Sequence, residues 1–193
     1  MKNKKRILCV VLAIAVLVLV GSCVNSVYGS KTSRNIKCYR ELTENVEALP
    51  KLDELGEYNE YSFKYYRKNM LIFFSDAYIL KVFYDKENYE KEKSKLDEKY
   101  VFETEVLYDY RYNAEEEKYI KVYPKQPNFQ IDTFDMRILS WDKHSVREYP
   151  HDFIFVGTSD MEQSICYIYY LDTDLDYIDT SFEEFLRKEC GWE

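Results

Sequence analysis

Apolar and polar positions alternate along this chain with changing period. The first stretch is apolar without interruption: Ile7 to Val20 holds no charged or strongly polar side chain and follows Lys2, Lys4, Lys5 and Arg6. As a helix at 1.5 Å per residue it would cover about 21 Å, short of the roughly 30 Å hydrocarbon core of a bilayer. A basic start and a short apolar run are the n-region and h-region of an export signal, whose basic end stays cytoplasmic. The next segment, Val24 to Ile36, reads VNSVYGSKTSRNI and has no apolar period. It is expected to be a flexible tether with a root-mean-square reach of about 20 Å.

Beyond the tether the period becomes informative. Leu42, Val46 and Leu49 fall at i, i+4 and i+7 before Pro50, and Leu52 and Leu55 continue toward Gly56, predicting one or two short helices. From Tyr61 to Tyr84 the period is two, in aromatic and β-branched residues, which predicts strands. Asp85 then heads a charged segment in which Tyr89, Leu96 and Tyr100 line one side, predicting a helix capped by Asp85. Thr104 to Tyr123 reads as a hairpin with an acidic turn at Asn113 to Glu117. Phe129 to Leu139, Asp152 to Gly157 and Ser164 to Leu171 read as three strands, the last two joined through Thr158 to Gln163. A final helix opens at Ser181-Phe182-Glu183-Glu184, an S-x-x-E capping box, and ends at Gly191.

This order lacks the βαβ alternation of a parallel nucleotide-binding sheet. The expectation is an α+β fold: a single domain with an antiparallel sheet of five to seven strands and helices packed mainly on one face. The expected boundaries are a leader over 1–22, a tether over 23–38 and a globular domain over 39–193.

The leader closes on Val20-Gly21-Ser22-Cys23. An aliphatic residue, two small ones and a cysteine resemble the lipobox of bacterial lipoproteins, in the Gram-positive style. The resemblance implies cleavage between Ser22 and Cys23 and a thioether-linked diacylglycerol on Cys23. Two acyl chains are what firm anchoring requires, because each buried methylene contributes about 0.8 kcal/mol and one chain holds only marginally. The alternatives are an uncleaved anchor and ordinary secretion. The mature part resembles no family with a characterised function.

Charge narrows the partners. Removing the four leader cations from 27 leaves 23 basic residues against 35 acidic ones, a balance of −12. Without a basic patch such a chain is repelled by phosphate backbones, so no nucleic-acid partner is expected. Cys38, Cys166 and Cys190 follow the lipobox, an odd count that permits at most one internal disulfide. Neither CxxC nor zinc-type spacing occurs, and with five glycines the chain has little material for cradling a cofactor phosphate; no cofactor is expected.

Three constellations could carry chemistry. Asp172, Asp174 and Asp176 alternate and Glu183 follows, a partial match to a calcium loop of the EF-hand kind. Tyr177 stands where that loop needs glycine and Asp179 where it needs an apolar residue, so acids gathered before a helix N-terminus are the simpler reading. His144 and His151 could meet a nucleophile such as Cys166 or Ser159, yet no nucleophile motif accompanies them. Tyrosine occurs twenty times, with Tyr108, Tyr110 and Tyr112, and Tyr167 and Tyr169, at alternate positions. A row facing solvent would form an aromatic platform for a ligand; a row facing inward is ordinary strand packing.

The expected function is therefore that of a membrane-tethered extracytoplasmic lipoprotein whose domain binds a protein or envelope ligand without catalysis. The alternatives are a small extracellular hydrolase and a structural or accessory subunit of a membrane complex.

Overall fold

A computed structural model describes residues 29–141, 151–173 and 178–193. Its centre is a hairpin of two eleven-residue strands, β2 (Glu60–Met70) and β3 (Phe73–Phe83), paired without slip from Glu60 opposite Phe83 to Met70 opposite Phe73. β9 (Ser164–Asp172) pairs with the other edge of β3, and β8 (His151–Ser159) pairs with β9. β7 (Phe134–Trp141) and β6 (Asn128–Ile131) extend that side, and β1 (Ser30–Ser33) closes the opposite edge against β2. The order is β1-β2-β3-β9-β8-β7-β6, antiparallel throughout, and β4 (Leu107–Asn113) with β5 (Lys118–Lys125) forms a separate two-stranded ribbon.

Sheet-rich antiparallel architecture in one domain agrees with the sequence pattern, and two of the three helices among the described residues begin where it places them; the first, expected through Leu42, Val46 and Leu49, instead ends at Thr43 and leaves Val46 and Leu49 outside any helix. α1 (Lys37–Thr43) is followed by a 3₁₀ turn over Leu52–Glu54. In α2 (Lys86–Lys99) the Asp85 side chain accepts from the Asn88 amide, and in α3 (Phe182–Glu189) Ser181 accepts from the Glu184 amide. Each cap satisfies an amide that the first helical turn leaves without a partner.

Three expectations need correction. The helices do not form one layer: Tyr39 of α1 and Tyr89 and Leu96 of α2 pack with Leu80, Val82, Ile154 and Tyr167 on one face, whereas Phe182, Phe185 and Leu186 of α3 pack with Ile79, Phe153, Phe155 and Ile168 on the other. The cause is β9, which is buried from Ser164 through Tyr170 and so needs cover on both sides. The tether is shorter than its composition implies, because Ser30 to Ser33 pair with Lys68 to Tyr65. An edge strand exposed to water has no apolar period to announce it. Phe129 to Leu139 is two strands joined at Asp132 and Thr133, with Asp132 in the left-handed region at φ 52°. The strands expected between Tyr61 and Tyr84 are present as β2 and β3, joined at Leu71 and Ile72, residues that carry no turn signal.

Candidate ligand cleft at one end of the sheet

The ends of β2 and β9 meet the side of α3 and leave a cleft of about 480 Å³. That volume lies within the range of small-ligand sites. Its apolar part comes from Met70, Ile178 and Phe185. Phe185 is fixed there because α3 buries it edge-on against Tyr170, with ring centroids 4.7 Å apart.

Three polar groups of the cleft, Lys68, Tyr170 and Lys188, are paired. Lys68 reaches across from β2 to Glu189 of α3, Nζ to Oε2 at 2.7 Å. Burial works against the Lys68 ammonium, but the hydrogen bond and charge of Glu189 outweigh it and leave its pKa raised. The Tyr170 hydroxyl donates to Asp172 Oδ2 at 2.8 Å. Burial, followed by the Asp172 charge, pushes that phenol well above its ordinary value, so it remains a neutral donor. Lys188, also at the rim, pairs with Glu184 Oε1 along α3. The cleft thus offers one apolar surface bordered by two cations and by Asp172, Asp179 and Glu189. A ligand with an apolar body and separated charges of both signs fits this arrangement.

The other sequence candidates are dispersed. Cys23 and Ser22, His144, Asp174 and Asp176 lie outside the described residues, as do the side chains of Tyr110 and His151. Of the calcium set, Asp172 accepts from Tyr170 and Glu183 pairs with Arg187, Oε1 to Nη2 at 3.4 Å. Among the described residues no group of three His, Cys, Asp or Glu side chains converges as a metal site. Cys166 is fully buried, and burial raises its thiol pKa to about 12. Ser159 is also buried, and its Oγ accepts from the Glu162 amide in the β8–β9 turn. Neither is presented as a nucleophile. Cys38, Cys166 and Cys190 are free thiols.

The tyrosine rows divide. Tyr167 and Tyr169 are 5 % and 8 % exposed and belong to the core, so of the two readings ordinary inward packing holds on β9 and the solvent-facing platform does not. On the ribbon, Tyr112 is half exposed and meets Tyr119 edge-on at 5.2 Å, while Lys121 lies over the Tyr108 ring. The sequence gives no hint of the row that does assemble: Tyr65, Tyr78 and Tyr169 lie side by side across β2, β3 and β9, with centroids 4.8 and 6.1 Å apart. Next to it Arg67 and Asp76 pair in register, and Asp76 also accepts from the Tyr65 hydroxyl. Only strand register brings these residues together, and register requires the position of the Leu71–Ile72 turn.

Gly29, just before β1, lies close to the cleft. The Gly29 carbonyl accepts from the Asn69 amide at 2.9 Å, one residue from Lys68 and Met70 of the cleft wall. Among the described residues no helix is long and apolar enough to cross a membrane. Comparison of the chain with protein-family models, with curated proteins and with solved structures finds no match.

Proposed function

We propose that this chain is a lipid-anchored extracytoplasmic domain, bonded to the membrane through Cys23, that binds a protein or envelope ligand in the cleft between β2, β9 and α3. The observation that carries the reading is the position of the cleft: its Lys68 and Met70 flank Asn69, which holds Gly29, and five residues separate Gly29 from Cys23. A site so placed faces ligands at or near the membrane surface. Paired charges around an apolar floor favour recognition over bond-breaking, because Lys68, Lys188 and the Tyr170 hydroxyl are already committed to partners that a ligand's own charges can replace. The inaccessible Cys166 and Ser159 weigh in the same direction.

Affinity capture from membranes with the lipidated chain tests this. The binding partner recovered with the native chain is expected to be lost with Lys68→Ala/Lys188→Glu, while membrane association is unchanged. Equal recovery with the cleft variant would contradict the cleft as the site.

A further inference from the structure

The β2–β3 hairpin turns on two residues, Leu71 and Ile72, between the paired Met70 and Phe73. Two-residue hairpin turns normally place Gly, Asn or Asp where φ is positive. Here Leu71 takes φ 61°, a left-handed conformation that is strained for a branched aliphatic side chain. The two side chains also point into water, Leu71 61 % and Ile72 85 % exposed, and Phe73 beside them is 37 % exposed. A tip that breaks both the turn rule and the burial rule is explained by neither folding nor solubility.

The pairing of β1 with β2 supplies the second observation. β1 runs beside β2 with Ser30 opposite Lys68, and Gly29 is bonded to Asn69, two residues short of Leu71. Five residues lie between Cys23 and Gly29. At 3.3–3.6 Å per residue they span about 20 Å at most, and about 13 Å as a flexible chain. We propose that the Leu71–Ile72 tip inserts into the headgroup–acyl boundary of the same leaflet that holds the lipid on Cys23, so that the domain stands on the membrane by two contacts. This rests on the lipid-anchor reading above. The tether keeps the tip at high local concentration near the bilayer, and two aliphatic side chains then suffice for a contact they could not hold alone. A second point of contact fixes the sheet's tilt and holds the cleft, whose Met70 adjoins the tip, close to the lipid surface.

The test uses the full chain, matured in a bacterial host and reconstituted into phosphatidylglycerol–phosphatidylethanolamine vesicles. In a Cys38→Ser background, Ile72→Cys or Met161→Cys carries an environment-sensitive fluorophore. Met161 is 82 % exposed in the β8–β9 turn at the opposite end of the sheet, about 30 Å away along β3. The expected result is a blue-shifted emission at position 72 that spin-labelled acyl chains quench, with water-like, unquenched emission at 161. Water-like emission at 72 on a chain whose intact mass shows lipid on Cys23 would overturn tip insertion and leave the anchor standing. A blue shift that lipid quenchers do not touch would overturn it in favour of a protein contact. Blue-shifted, quenched emission at 72 on a chain whose intact mass shows no lipid would remove the anchor and overturn the two-contact proposal, because the two side chains are not expected to hold the membrane alone; absence of both signals would remove both. Leu71→Gly/Ile72→Ser, which restores ordinary turn chemistry, is expected to melt about 2 °C higher. A lower melting temperature would show that the tip serves the fold and would overturn the proposal.

Discussion

Arg67 and Asp76 face each other across the β2–β3 register and join through two parallel bonds, Nε to Oδ1 and Nη2 to Oδ2, both 2.6 Å. Asp76 is buried whereas Arg67 is a third exposed, so the two partners carry unequal risk. Arg67→Ala strands a buried carboxylate with the Tyr65 hydroxyl as its remaining described partner and is expected to cost about 2 kcal/mol, below the range for fully buried pairs because water can reach the vacated side. Arg67→Met/Asp76→Leu, which removes both charges, should recover most of that loss. Urea midpoints with unchanged slope measure it.

Asp132 contributes to the acid dependence of stability. At the β6–β7 turn it accepts from Arg187 at 2.8 Å and from the Trp192 indole at 2.7 Å, and these bonds hold its pKa below the ordinary carboxylate value of 3.8. A depressed folded pKa contributes stability that is complete above about 3.8 and is lost as pH falls through the lower folded value. Asp132→Asn should therefore melt below the native chain at pH 7, with the gap closing as pH drops under about 3.8. A gap independent of pH would contradict this.

Thiol reactivity should separate the cysteines by burial. Cys166 and Cys190 are fully buried with raised pKa, whereas Cys38 is partly exposed on α1. The mature folded chain is expected to show one promptly reacting thiol at neutral pH, and two more after unfolding in denaturant. A second prompt thiol would mark Cys23 as unmodified and count against the proposed anchor.

Much of the fold is legible in the sequence where one residue does a specific local job. Asp85 and Ser181 cap the helices they head, and the turn after β8 lies within the segment expected to connect it to β9. Legibility fails where local rules are silent or broken. Asp132 and Thr133 turn the chain without glycine or proline, and Ser30 to Ser33 form a strand by backbone pairing alone. Leu71 and Ile72 prolong the apolar run from Met70 to Phe74 and so conceal the turn they make. Uninterrupted apolar character at 70–74 between two alternating stretches is the one signal from which the tip could have been read. The cleft is less accessible still: Lys68 and Glu189 stand 121 positions apart, and nothing short of the β2–α3 packing joins them.

The burial of Tyr167 and Tyr169 follows from the same cause as the divided helices. A strand that is apolar at every position, as β9 is from Ile165 to Tyr170, lies inside a three-layer arrangement and has no solvent face to offer.

The proposed bond between Cys23 and lipid is what would give both the position of the cleft and the proposed tip contact their meaning at the membrane. Labelling of cells with a clickable palmitate, followed by recovery of the native chain and of Cys23→Ala, measures that bond directly. Label is expected on the native chain and none on the variant. An unlabelled native chain, or equal label on both, would contradict the proposed bond.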